Sequence, residues 1–520
     1  MTDGRRIALA ALAVFVAVVA LYWPTLRGGF VYDSIAQVLY SDYLHTPSHW
    51  VDVLTLRVVG QDELDRNRPM HLASLMLDAA IWGRNPFGYR LTSVLLHALN
   101  AALLCVLIAI ILARQKNLTS ACVVLAALFG SFVFALHPLV VEAVAEPSNR
   151  EDLLVLLPML VGLLFIATQQ KYSRSVLNAA LILAGFFAVL GKESGAAVPL
   201  VFAVAAWLFG SFRRCWPGIV GGALAVIAFL AASYVWRPAS SAIFANAPAD
   251  LAGDFPSLLA LQLRIWTLQL WQVLWPWQLS AHYTAASIAG ISTPLGGVVV
   301  ASALALSVGL WRAHRLAALG VAVYVLGLLP ASNFAAQYHP IADRYLYVPL
   351  AGVGMIAAVL AGGALAWRWR SLAGWCAAGT LLILLCCEYA ANLRRQFIWQ
   401  EPAALWADVL RRDPRVSQAL LGIANVRYRA GDYQGARAAA VEAVAASNGL
   451  WADAWGLRAI CEWRSGSGDL AAESLRRAMR LSRVYESGES AEKAMIFSPE
   501  QLSALAELRR TLAAEVGSPR

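Results

Sequence analysis

An all-α protein, a polytopic membrane helix bundle followed by a second helical domain, is what three features of the sequence predict. The 520 residues are 59% hydrophobic and only 14% charged, where a soluble domain carries roughly 25% charged residues. Apolar runs suited to a hydrocarbon core of about 30 Å recur throughout the first 398 residues. Beyond Trp399 the composition changes and a repeat sets in: "GDYQGARAAAVEAV" returns as "GSGDLAAESLRRAM", with Gly431/Gly466, Ala436/Ala471 and Ala443/Ala478 each 35 residues apart. The expected domains are therefore 1–398, transmembrane, and 399–520, tetratricopeptide-like.

The apolar runs lie near 7–26, 91–113, 119–136, 152–168, 176–190, 196–212, 217–236, 292–311, 316–333, 345–366 and 372–391. With Arg5 and Arg6 in the cytoplasm, the clusters "ARQKN", "QQKYSRS", "FRRCW", "WRAHR" and "WRWR" fall on the same side, as basic loops should. That agreement requires 256–277 to lie along the interface, and its four Trp suit such a place. The expectation is eleven spans, N-terminus inside and C-terminus outside. The stretches 27–90, 137–151, 191–195, 237–291 and 334–344 then share the outer face with the C-terminal domain.

In the C-terminal domain, small residues at fixed offsets let paired helices cross closely, the mark of a repeat of about 34 residues. A final helix is expected at 499–515.

The formal charge of +9 does not indicate nucleic-acid binding, because the basic residues sit in short clusters between apolar runs. Seven cysteines show no C-x-x-C spacing, so neither a disulfide framework nor a zinc site is implied. No metal-ligand set is assigned, and no cofactor. The first apolar run lacks a small-x-small cleavage site before "YWPTLRGGF" and reads as a retained anchor. The scarcity of lysine beside arginine fits a GC-rich bacterial genome, and with it a bacterial inner membrane whose outer face is periplasmic.

Unusual polar residues gather in or beside the outer stretches: Asp33, Arg68, His137, Glu142, Arg150, Lys192, Glu193, Asp343 and Arg344. His97, inside the second run, reads as a satisfied core histidine. The segments that carry the others come in a definite order. "FVYD" follows the first run, and "NRPMHLASLMLDAAIWGRNPFGYRLTSVLLHALNA" leads into the second. "ALHPLVVEAVAEPSNREDLL" follows the third, "GKES" the fifth, and "ADRYLYVPLAG" opens the tenth.

This order resembles the C-superfamily of lipid-sugar-dependent glycosyltransferases, most closely the TMTC-type protein O-mannosyltransferases with C-terminal tetratricopeptide repeats. Three departures stand out. The family's paired acids after the first span read Asp33–Ser34 here, its "GYHLxN" reads "GYRLTS", and the repeat array shrinks to about two units. The resemblance implies a donor sugar on polyprenyl phosphate, drawn from the membrane lipids, and a hydroxyl of an exported protein as acceptor. The repeat domain would orient that protein partner.

A polyprenyl phosphate already leaves well and needs its charge neutralised more than it needs a proton. Arg344, with Arg68, Lys192 and Arg150, can supply that charge, arginine through its bidentate fork. The attacking hydroxyl must lose a proton, for which one carboxylate, Asp33, suffices as base. Glu142 and His137, five residues apart, could align the acceptor or support Asp33. Tyr345 and Tyr347 are candidates for lining the lipid-phosphate groove. Lys192–Glu193 reads equally as a ligand contact or a structural pair.

Other classes stay open at this point. A transporter would show internal repeats and mid-membrane charges, whereas here the charges collect at one face. A non-enzymatic scaffold would not need Asp33, Glu142 and Arg344 together. A ligase moving whole lipid-linked glycans usually carries its major loop late in the chain.

Overall fold

The computed structural model describes residues 3–61, 63–115, 117–236, 255–334, 337, 339–368, 372–485 and 497–517. Among them there are helices and turns and no strand. Part of the expected outer stretch 237–291, residues 237–254, lies outside them, as does half of "WRWR".

The main helices of the first part are α1 (Asp3–Leu21), α2 (Pro69–Trp82), α3 (Pro86–Leu112), α4 (Ser120–Leu136), α5 (Glu151–Ala167) and α6 (Arg174–Gly191). They continue as α7 (Val198–Leu208), α8 (Phe212–Val235), α9 (Phe255–Leu274), α10 (Thr293–Ala313), α11 (Arg315–Leu328), α12 (Tyr347–Arg368) and α13 (Leu372–Ile398). Every apolar run read from the sequence is helical. Among the described residues, six helices are long and apolar enough to cross a membrane: α1, α3, α6, α8, α10 and α12 with the turn before it. A seventh crossing arises if α4 and the short helix Pro138–Ala145, bent by 51°, count as one. The bend falls at Pro138, which lacks the N–H that a continuous helix would need. The other expected runs are also helices, two of them shorter: Glu193–Leu208 and Arg315–Ala331 with their flanking turns. The 11 residues of α7 rise only about 16 Å at 1.5 Å per residue, and the 14 of α11 about 21 Å.

The chain divides into two compact units: residues 1–27, 43–279 and 285–397, and residues 28–42, 280–284 and 398–520. In the first unit α12 packs against α4 and α11, α8 against α6, and α1 against α3. Glycines make the α12 contacts: a methyl on Gly130 would strike the Gly354 carbonyl, and one on Gly352 the Gly320 carbonyl. Lipid offers no hydrophobic drive for helix association, so such close backbone approach supplies the packing.

Hydrogen bonds bind the same helices together. Tyr22 donates to the Ala135 carbonyl at 2.9 Å and accepts from Asn392 at 2.8 Å. His97 lies between the Tyr347 hydroxyl, 2.9 Å from Nδ1, and the Ala135 carbonyl, 3.1 Å from Nε2. His97 is thus the satisfied core histidine expected of it. Tyr347, fully buried and bonded also to Asn100, belongs to this core rather than to a groove.

Helix α9 inverts the usual amphipathic pattern. Gln262, Ile265, Gln269 and Gln272 form its buried face, while Phe255, Trp271 and Leu274 are exposed. Gln262 repays its burial by accepting from the Asn333 backbone and side chain, both at 3.1 Å. A helix with its apolar face outward is suited to lipid contact.

The second unit contains α14 (Pro402–Arg412), then the hairpins α15 (Ser417–Arg429)/α16 (Tyr433–Ala446) and α17 (Ala452–Arg464)/α18 (Gly468–Leu481), and α19 (Pro499–Gly517). Gly431 and Gly466 turn the hairpins at φ +79° and +76°, a conformation that costs glycine little. Ala436, Ala443, Ala471 and Ala478 are all fully buried. The 35-residue register of the sequence is therefore the register of two helical hairpins, tetratricopeptide-like in form. Residues 28–42 and 280–284 join this unit: the Gly29 N–H donates to the Gln400 carbonyl at 2.9 Å, and Thr284 Oγ1 to Asp413 at 2.9 Å.

Candidate active site

Four of the stretches expected on the outer face converge within the first unit. The loop before α2 brings Asp65 and Arg68, the bend after α4 brings Glu142, and the start of α5 brings Glu151 and Asp152. The turn after α6 brings Lys192 and Glu193, and the turn before α12 brings Asp343, Arg344 and Tyr345.

Arg344 is ion-paired through Nη1 to Glu142 Oε1, and its backbone N–H donates to Glu142 Oε2 at 3.3 Å. Both oxygens of Glu142 thus serve to set Arg344, and Glu142 is 1% exposed. Its geometry is that of a positioning group. Next to it Asp343 pairs with Arg395 at 3.0 Å, both buried, so the two neighbours Asp343 and Arg344 are each held from another element.

Two cations meet at Tyr345. The Arg344 guanidinium carbon lies 5.3 Å from the ring centroid and the Lys192 ammonium 5.6 Å. The Tyr345 hydroxyl donates to the His339 carbonyl at 2.9 Å, which fixes the ring. Lys192 also bonds Glu151 at 2.8 Å and Asp152 at 2.7 Å. Arg68 binds three carboxylates: Glu151 at 2.5 Å, Asp65 at 2.8 Å and Glu193 at 3.0 Å. Burial alone would raise the Glu151 carboxyl, but Arg68 and Lys192 hold it down at about 2. Arg344, Lys192, Arg68 and Glu193 are therefore parts of one charged network. Glu193 and Lys192 do not pair with each other in it; each reaches a different partner.

Two of the expected site residues lie elsewhere in this unit, and a third belongs to the second unit. Arg150 is fully buried with its guanidinium saturated: Asp78 at 2.5 Å, the Tyr89 carbonyl at 2.6 Å, Ser93 Oγ at 3.0 Å and Ser74 at 3.2 Å. Those bonds tie α2 and α3 to the start of α5 and leave Arg150 a structural role in place of the expected phosphate contact. His137 caps the turn after α4. Its Nδ1 accepts from the Leu139 N–H at 3.3 Å and its Nε2 faces the Val273 carbonyl at 3.0 Å. The bend separates it from Glu142, so the helical face they were expected to share does not form.

Asp33 belongs to the second unit, in its segment 28–42, and its side chain is exposed. It follows Tyr32, held at φ +48°, whose ring packs 5.9 Å from Trp399 and 5.5 Å from Trp406. Ser34, where the paired-acid pattern has its second acid, is fully buried and donates to the Val31 carbonyl at 2.7 Å. The serine closes a local turn.

Asp65, Glu151, Asp152 and Asp78 complete the charged networks and were not singled out from the sequence. "REDLL" carried a signal for two of them, since adjacent acids opening an apolar helix need partners.

No family model matches the chain, and no solved structure does. Among curated proteins it is similar to protein O-mannosyl-transferase F38B6.6 of Caenorhabditis elegans, 22% identical over 373 residues that cover 69% of this chain and 52% of that protein. It is 27% identical over 161 residues to protein O-mannosyl-transferase TMTC1 of Mus musculus, covering 30% of this chain and 16% of that one. With protein O-mannosyl-transferase TMTC3 of Homo sapiens it shares 24% identity over 176 residues, 33% and 18% of the two chains. The match thus spans about half the length of the first relative and less of the others. The resemblance carried by the motifs is to the same type of protein.

Proposed function

We propose that this chain is a membrane glycosyltransferase of the kind it resembles. It moves a mannose-like monosaccharide from a polyprenyl-phosphate donor to a hydroxyl of an exported protein. Its relatives' names and its multi-pass helices support the class. The observation that carries the donor is the convergence of Arg344 and Lys192 on Tyr345. Two cations around one aromatic ring, beside an apolar bundle, suit a phosphate whose lipid tail stays in the membrane. Each cation already has a carboxylate partner, so the phosphate joins an existing network. It is selected for its geometry as well as its charge.

The reaction is a single displacement with inversion. The acceptor oxygen attacks the anomeric carbon, the bond from that carbon to the phosphate oxygen breaks, and the electron pair leaves with the phosphate. The hydroxyl proton passes to Asp33. The second unit presents the acceptor protein, and the N-terminus lies in the cytoplasm. A reporter that fluoresces only in the cytoplasm, fused after the last residue, should stay dark. Bright cells would reverse the orientation of the C-terminal unit.

The direct test is to incubate the purified protein with polyprenyl-phosphate mannose and exported proteins, and to look for added hexose by mass spectrometry. No hexose on any acceptor, with donor intact, would refute the transferase reading. For the site itself, Arg344→Lys keeps the charge and removes the fork. Donor affinity should fall by about 1–3 kcal/mol, the worth of one charge-assisted contact. Undiminished donor binding in Arg344→Lys and in Arg344→Ala would take this residue out of the donor site.

A further inference from the structure

Beside the two cations lies a group of residues that the transfer reaction does not use. One ligand atom from each of Asp65, His71 and Glu151 lies within 4.8 Å of the other two. His71 stands in the first turn of α2, fully buried, and neither of its ring nitrogens has a hydrogen-bond partner among the described residues. Buried polar atoms are nearly always bonded. His97, equally buried in the same unit, has both nitrogens engaged.

Charge gives a second, independent indication. Asp65, Glu151, Asp152 and Glu193 share the two cations Arg68 and Lys192, and with all ionised these six side chains carry a formal −2. A divalent cation held by His71 would answer both observations at once.

We propose that Asp65, His71 and Glu151 bind a divalent transition-metal ion through one imidazole nitrogen and two carboxylate oxygens. The mixed nitrogen and oxygen set suits zinc or manganese, whereas calcium and magnesium take oxygen alone. The bonds from Glu151 to Arg68 and Lys192 do not block ligation, because each carboxylate oxygen has two lone pairs. Metal bonds of about 2.0–2.2 Å set tetrahedral ligand atoms roughly 3.4 Å apart. Binding therefore draws the three side chains together by at most about 1.4 Å. Asp65, on the loop before α2, can supply most of that movement. The ion would then fasten this loop to the start of α5 and offset the excess negative charge next to Lys192.

This site does not depend on the transferase reading, and its test needs no donor lipid. The full-length protein in detergent, stripped with a chelator, is titrated with zinc and separately with manganese, and bound metal is counted by elemental mass spectrometry. One equivalent of at least one of these ions is expected. His71→Gln and Asp65→Asn should each weaken binding by roughly tenfold or more, since even losing an outer-shell partner costs that much. No stoichiometric uptake of either ion would overturn the proposal, as would wild-type binding in both variants. If His71→Gln does not fold, the partly exposed Asp65 decides alone.

Discussion

Asp33→Asn should lower transfer turnover by about 10²–10⁴-fold, the usual share of a general base, while the protein folds and binds donor lipid as before. Asparagine keeps the size of the side chain but cannot take the proton that the acceptor hydroxyl must lose. The fold should tolerate the change. The Asp33 side chain is exposed, and the bond from the Gln37 N–H at 2.8 Å runs to its backbone carbonyl. Ser34→Ala is the paired control. Its hydroxyl is bonded within its own turn, so removing it should cost about 1 kcal/mol of stability and little turnover. A purely solvated residue at position 33 would make the two variants alike. Near-full turnover in Asp33→Asn would pass the role to Glu142, the acid expected to support it, despite its engagement with Arg344. Measured turnover with saturating donor separates this loss from one in donor binding.

The sequence disclosed some of these features better than others, and the reasons are physical. Helices were legible because apolar runs and the 35-residue register of Gly431/Gly466 act locally. The lengths of α7 and α11 were not, because both are shortened by turns, such as Glu193–Ala197, that packing decides. Arg344, Lys192, Arg68 and Glu142 were singled out because charges beside apolar runs are costly and therefore conspicuous. Their partners were harder to read. Asp65 and Glu151 are 86 residues apart in the chain, and no spacing rule links a loop to the start of a distant helix. Arg150 misled for a related reason: a lone arginine beside an outer stretch looks the same in sequence whether it awaits a phosphate or is saturated by Asp78 and two neighbouring helices. The motif departures "GYRLTS" also find structural uses, since Ser93 accepts from Arg150 and Arg90 donates to the Thr25 carbonyl at 3.3 Å.

That distinction leads to the second large effect, at Asp78. Its carboxylate is 2% exposed, pairs with Arg150 at 2.5 Å and accepts from Thr92 at 2.6 Å. Asp78→Ala would leave a fully buried guanidinium with neutral acceptors only, and such uncompensated charges cost about 3–5 kcal/mol. Thermal unfolding in detergent should therefore show a pronounced loss of stability. Arg150→Met alone should also destabilise, because it strands the buried carboxylate. The double variant Asp78→Ala/Arg150→Met should recover much of the loss, since removing both charges removes the desolvation cost as well. A phosphate-binding Arg150 predicts the opposite pattern. Arg150→Met would then abolish donor binding with little change in melting, and the double variant would be no more stable than Asp78→Ala. With its guanidinium bonded to Asp78, Tyr89, Ser93 and Ser74, Arg150 should follow the first pattern, with donor affinity unchanged in whatever fraction of Arg150→Met remains folded.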